Sequence, residues 1–279
     1  MTSQSLPLYI VDAFSDQPFG GNPAAVVPLE SWPEDQVLQN IAMEHNLSET
    51  AFFVPSQDES AKDGAADFEI RWFTPTVEVP LCGHATLASG HVIFQHIGFA
   101  KDTLRLKTRE RGTLTLTQAG QAGDTAYTMD LPAAEQTATP LDPSMAKSLG
   151  LTVLEAYEGG FLMLVLPSAE AVARYQPDFD AIAATGKELI ITATGGTAEF
   201  ADFDFVSRMF APTIGIDEDP VTGAAHAQLT PYWALTLQKT ELKAAQIGPR
   251  SGKLTAVMAG NRVQLIGQAR TYAMGQIFL

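Results

Sequence analysis

The chain has 279 residues, 46% of them hydrophobic and 18% charged, and a formal net charge of −15. That balance describes a globular protein, and so negative a charge excludes the basic face that nucleic acid requires and disfavours an anionic membrane surface. One cysteine rules out an internal disulfide framework, and neither a secretory leader nor an 18-residue apolar run is found, so no membrane partner and a cytoplasmic location are expected.

Leu8 to Val11 reads as a short strand, being apolar and partly β-branched. A Gly-, Pro- and Asn-rich loop, Ser15 to Pro23, leads to a second strand at Ala24 to Val27. Ser31-Trp32-Pro33-Glu34 has the form of a capping box. The helix after it carries Val37, Leu38, Ile41, Ala42 and His45 on one stripe and ends near Asn46. Ala51 to Val54 is a strand, which makes Leu47-Ser48-Glu49-Thr50 a tight corner. Phe68 to Phe73 alternates as a strand, and Pro75 to Cys82 is an irregular loop. Gly83 to Ile97 is apolar nearly all round, the mark of a buried helix. Leu104 to Thr117 forms one or two half-exposed strands, and turn-rich Gly120 to Asp124 is a candidate boundary. Phe161 to Leu166, Leu189 to Thr192 and Phe205 to Phe210 are strands, and Gly223 to Leu237 is a second buried helix. Strands at Leu254 to Met258 and Val263 to Ile266 flank a hairpin turn at Gly260-Asn261.

The two halves repeat one another. Asp67 to Thr76 and Asp204 to Thr213 are identical at six of ten positions, at an offset of 137. The offset then becomes 140: Glu78, Pro80, Gly83 and Ala85 match Glu218, Pro220, Gly223 and Ala225. This is the signature of duplication. It predicts an α+β fold of two pseudo-symmetric domains, each a curled, barrel-like sheet around a central buried helix. The domains are expected at 1–124, to which the final strand 271–279 can return, and at 125–270. The duplicated Arg71 and Arg208 read as structural anchors.

Each buried helix opens on a glycine-containing turn, Leu81-Cys82-Gly83-His84 and Asp219-Pro220-Val221-Thr222-Gly223-Ala224. Free N–H groups and a positive dipole end lie there, which suit a carboxylate. Glu49 is the least ordinary carboxylate, because it stands at a corner between an amphipathic helix and an apolar strand. A desolvated carboxyl there can carry a proton both ways near neutrality. At an offset of 137 the second half has Gly186, so one base is expected. His91 and His96 do not have metal spacing on one α-helical face, and no Cys/His/carboxylate cluster has zinc spacing. Neither a dinucleotide fingerprint nor a phosphate-cradling loop follows a strand.

Asn22-Pro23, Asn46 to Phe52, Arg71-x-Phe73-Thr74-Pro75, Cys82 to Thr86 and Glu218 to Gly223, in that order, resemble the phenazine-biosynthesis PhzF-like isomerases. The resemblance covers residues 8 to 270. It implies the fold of diaminopimelate epimerase, with the active site between the two domains, a homodimer, no cofactor, no metal and a small carboxylate-bearing substrate. It assigns acid/base chemistry to Glu49, with His84 and Asp219 as further catalytic residues. It implies substrate contacts at Asn22, Ser48, Gly83, Thr222, Gly223 and Ala224. The family often carries a serine where this chain has Ala224. Two other readings are a cysteine-dependent epimerase and a non-catalytic dimeric protein that binds a small acid. The first needs a second cysteine, where the chain has Thr222. The loops Ser56–Ala66 and Gln118–Thr128 carry no readable substrate code.

Overall fold

The computed structural model describes residues 5–57, 65–119 and 125–279, the side chain of residue 198 excepted. The expected boundary at Gly120–Asp124 lies outside the described residues, as do parts of the two loops just named. The chain divides into two compact units, Met1–Asp130 with Ile266–Leu279, and Leu131–Leu265.

In the first unit β1 (Ser5–Ala13) lies antiparallel to β2 (Asn22–Pro28), and β2 parallel to β3 (Glu49–Pro55). Beyond these, β3 pairs antiparallel with β4 (Phe68–Phe73), and β4 with the two-residue β5 (Glu78–Val79). β4 is parallel to β6 (Thr103–Lys107), which is antiparallel to β7 (Thr113–Ala119), itself antiparallel to β8 (Ala126–Pro132). The last strand, β17 (Arg262–Phe278), pairs with both β8 and β1 and closes the ring into a barrel. A closed sheet leaves no edges in the ring.

The second unit repeats this pairing order. β10 (Glu155–Glu158) and β11 (Leu162–Val165) are antiparallel, β11 and β12 (Leu189–Thr194) parallel, β12 and β13 (Phe205–Ala211) antiparallel. β13 then pairs antiparallel with the short β14 (Ile216–Asp219) and parallel with β15 (Glu241–Ile247), and β15 antiparallel with β16 (Ser251–Ala259). The short β9 (Thr137–Ala138) adds to β10. The architecture is α+β, and the duplication read from the sequence recurs strand by strand.

Between β2 and β3 runs α1 (Asp35–His45), whose Leu38, Ile41 and Ala42 pack on Val27, Phe52 and Val54. The capping box does not form: the N-cap is Glu34, without a side-chain cap, and the helix begins four residues after Ser31. Pro33 precedes the helix rather than opening its first turn, so the serine is too far from the first free N–H groups. The helix ends where expected, on Asn46 in the left-handed conformation. α2 (Gly83–Val92) packs against β1, β2 and β3 inside the barrel, all but one of its residues from His84 to Val92 being buried. The same hydrophobic run continues as a π-helical turn, Ile93–Ile97, rather than as α-helix. The extra residue in that turn brings His91 and His96 together. Both Nε2 atoms reach the Thr271 hydroxyl, at 2.9 and 2.8 Å.

In the second unit α3 (Pro143–Ser148), α4 (Ala169–Arg174) and α5 (Phe179–Ala184) are short helices absent from the sequence reading. Asp142, Ser168 and Asp178 cap them through their side chains. α4 and α5 cover one face of the sheet through Val172 and Ile182. α6 (Gly223–Leu237) has the bounds the sequence predicts and covers the other face, where Trp233 stacks on Phe205 at 5.7 Å. Its Leu235 is exposed, so the burial is not complete all round.

The repeated arginines are anchors in both units. Arg71 forks onto Glu78 at 2.7 and 2.7 Å, and Arg208 onto Glu218 at 2.7 and 2.8 Å. Each fork ties a long strand to the short strand that leads into the helix turn. Asp67 and Asp204 form a second repeated device, the former bonding Lys101 and the Arg105 N–H, the latter Lys239 and the Lys243 N–H.

Candidate active site

In the first unit the corner after α1 turns through Asn46 and half-buried Ser48, and Glu49 opens β3. Phe52 and Val54 face α1. Side chains alternate along a strand, so Glu49 takes the opposite face, toward α2. It is 9% exposed, unusual for a carboxylate. α2 starts from Cys82, whose carbonyl accepts from the Thr86 hydroxyl, and Gly83 and His84 are its first two residues. That start sets His84 Nε2 3.2 Å from Glu49 Oε2. On the other side of the ring, Asn22 Nδ2 lies 3.0 Å and Cys82 Sγ 3.5 Å from Nδ1.

These neighbours assign the tautomer. An amide N–H and a thiol S–H both donate, so Nδ1 carries the lone pair and Nε2 the proton; Nε2 lies close to Glu49 Oε2, but the pair is not in hydrogen-bond geometry. Desolvation pushes the imidazole down to about 3, so His84 is neutral at physiological pH. A neutral N–H donor beside a nearly buried carboxyl can steady the carboxylate and still release it for protonation. Glu49, Cys82 and His84 also hold one ligand atom each within 4.8 Å of one another, a donor set that suits zinc. The tautomer opposes it: the ring lone pair meets two donors, so a cation at Nδ1 would require the ring or the Asn22 amide to turn over.

In the second unit Asp219 ends β14 and is 8% exposed. Its carboxylate accepts from the Thr222 hydroxyl. Gln246, on β15, accepts from the Thr222 N–H at 2.9 Å, and its Nε2 donates to Thr222 Oγ1 at 3.2 Å. The first bond fixes the amide orientation, so Thr222 Oγ1 must accept from Gln246 and give its one proton to Asp219. The Thr222 carbonyl accepts from His226 Nδ1 at 2.9 Å, and burial pushes that imidazole down to about 4. Gly223 opens α6 and is buried; Ala224, the counterpart of His84, is exposed. Gln246 and His226 were not found from the sequence. Gln246 lies 24 residues from the turn that it holds, and no local pattern reports a ladder neighbour.

The register also changes the twin of Glu49. Thr50 pairs with Phe73, and Leu189 pairs with Phe210. Phe73 and Phe210 are the same position of the repeat, so Thr50 answers to Leu189 and Glu49 to Glu188. Gly186 at the 137 offset is the wrong partner, because the connection between β3 and β4 is two residues longer than that between β12 and β13.

A family profile described as Phenazine biosynthesis-like protein matches residues 11–275. The chain is 43% identical over 276 residues to an uncharacterised isomerase of Pseudomonas aeruginosa, covering 98% of this chain and 99% of that one. It is similar to the crystal structure of a phenazine biosynthesis protein of the PhzF family from Enterococcus faecalis, with a TM-score of 0.89, 43% identity, and coverage of 99% and 100%. At 12% identity it shares its fold with a hydroxyproline epimerase from Agrobacterium vitis that holds trans-4-hydroxy-L-proline, with a TM-score of 0.62 and coverage of 99% and 93%. Over nearly its whole length, then, the chain belongs to the phenazine biosynthesis-like protein family.

Proposed function

We propose that this chain is an isomerase that works without a cofactor and moves a proton within a small, carboxylate-bearing cyclic acid. The apposition of Glu49 and His84 carries the reading. Glu49 removes a proton from a substrate carbon, and the neutral His84 N–H supports the carboxylate between steps. The N–H groups at the start of α2, at Gly83, offer a seat for the substrate carboxylate, and the start of α6 at Gly223 repeats the device within its own unit. Asn22 fixes the His84 ring, and Ser48 offers a hydroxyl. Ala224 leaves the family's frequent serine contact unmade, which points to a substrate lacking the group that serine would bind. Close relatives named isomerases support the reading.

The test is Glu49→Gln, which keeps shape and hydrogen bonding but cannot accept a proton. With 2-cyclohexene-1-carboxylate as probe, formation of the conjugated 1-cyclohexene isomer is followed by NMR. The variant is expected to fold normally and lose roughly 100-fold or more in rate. Near-wild-type turnover would sink the assignment of Glu49. A thiol-based epimerase is disfavoured because Cys82 stands as a donor toward His84 and its repeat counterpart is Thr222. We further propose a cytoplasmic homodimer, an assembly the family resemblance implies. Light scattering at micromolar concentration should give about twice the chain mass of 29.9 kDa, and a monomer mass contradicts it.

A further inference from the structure

We infer that the outer half of β17, residues 272–278, is the surface on which a second copy of this chain docks, the two strands lying antiparallel and edge to edge about a two-fold axis. The inference deepens the homodimer reading above by assigning it an interface, one that lies within the first unit.

β17 has seventeen residues, and its neighbours do not cover them all. β8, with seven, stands beside the start of the strand, where the Ala133 N–H reaches the Asn261 carbonyl at 3.0 Å, so it runs out short of Tyr272. β1 borders the rest on one side, from Ala269 to Phe278. Among the described residues no strand pairs with the other side, and every residue from 272 to 276 is exposed. Side chains alternate between faces along a strand, so a run of this kind leaves neither face fully covered. An unpaired edge presents free N–H and C=O groups to any strand that comes beside it.

The edge is also apolar and unguarded. Edges that stay free are protected by charges or prolines, and residues 271–278 have neither. Tyr272, Phe278 and Phe19, whose ring meets that of Tyr272 at 5.6 Å, are 56%, 70% and 73% exposed. Phe19 is held outward in the left-handed conformation, with its N–H bonded to Asp12 Oδ2 at 2.9 Å. At roughly 200 Å² a side chain, the three show about 400 Å² of aromatic surface. Exposed Met274 and Ile97 add to it. A standard interface takes about 800 Å² from each partner, so these side chains supply more than half of one.

Gly275 lies midway along the surface. Its φ is not positive, and a Cβ there would meet nothing within 4 Å. The single chain has no need of glycine at this place, where glycine weakens a strand; close approach of a second backbone accounts for it. Charge favours another copy as the occupant. Two chains of net charge −15 repel one another, and this strand with its β1 neighbour, residues 5–10, is uncharged ground on which they can meet. Antiparallel pairing about Gly275 opposes the strand to itself, as a two-fold axis requires. It sets Tyr272 beside Phe278 of the partner subunit, an aromatic cross-strand pair.

Light scattering and amide hydrogen exchange on the full chain test the interface. Met274→Lys and Gly275→Lys charge the docking surface, and Leu235→Lys removes an exposed apolar side chain of the second unit as a control. Wild type and Leu235→Lys should weigh about twice 29.9 kDa and the two β17 variants one chain mass, all with the circular dichroism of the wild type. In the wild type the amides of 272–278 should exchange more slowly as protein concentration rises. If the β17 variants stay dimeric, or Leu235→Lys does not, the interface is overturned while the homodimer and isomerase readings stand. A monomeric wild type overturns interface and homodimer together and leaves the isomerase reading to Glu49→Gln. Should a variant misfold, exchange decides: wild-type amides of 272–278 that are indifferent to concentration overturn the inference.

Discussion

At the scale of single residues, the tautomer of His84 is the most consequential detail. It is set by two donors on Nδ1 and expressed at Nε2, where the carboxylate waits. Asn22→Asp reverses it in principle: an acceptor facing Nδ1 draws the proton there and leaves a lone pair against Glu49. Long-range 15N NMR should show the proton moving from Nε2 to Nδ1, and activity should fall by roughly tenfold or more. An unchanged tautomer in that variant would show that Cys82 alone sets the ring. The sequence made Glu49, His84 and Asp219 stand out because each lies at the junction of two readable elements. It could not show the Asn22–His84 contact, which spans 62 residues. Glu188 escaped for a different reason. A fixed offset assumes equal loops, and a β12–β13 connection two residues shorter than the β3–β4 one is enough to pair Glu49 with a glycine.

At the scale of elements, the repeated Arg–Glu forks explain how the helix starts are held. Arg71 and Arg208 are 4% and 5% exposed, and each carries one glutamate of the short strand leading into α2 or α6. Arg71→Ala leaves Glu78 without its fork partner, and Arg208→Ala does the same to Glu218. Each should cost about 3 kcal/mol in urea unfolding, whereas loss of an exposed pair such as Lys187–Glu158 should cost well under about 1 kcal/mol. Equal small effects for all of these would argue against the forks as anchors. The helices were legible where periodicity or continuous apolarity was long, as in α1, α2 and α6. The six-residue helices α3, α4 and α5 were not, since a single turn and a half offers too few positions for a period to emerge. The π turn after Val92 was also beyond reach, and with it the meeting of His91 and His96 at Thr271.

At the scale of the whole molecule, each unit buries one neutral histidine under a helix start. His84 is held down to about 3 and His226 to about 4, against about 6.5 in an unfolded chain. As pH falls the unfolded state takes up protons first, so stability is full above about 6.5 and declines from there toward 4 and 3. Each group contributes a slope of up to about 1.4 kcal/mol per pH unit in that window. Urea unfolding at pH 7 and pH 5 should therefore differ by about 4 kcal/mol for the pair, and a flat profile would contradict the burial of both rings. The duplication was the part of the architecture most visible in the sequence, because its motifs carry the anchors and helix starts that both units need. The return of the last strand was less visible, and it has a consequence for biosynthesis. β17 leaves the second unit at Leu265 and enters the first at Ile266. On the ribosome, the first-made unit therefore emerges as an open sheet with β1 and β8 lacking their shared neighbour. It must wait, unzipped, until all of the second unit has been translated, so the half made first is the half completed last.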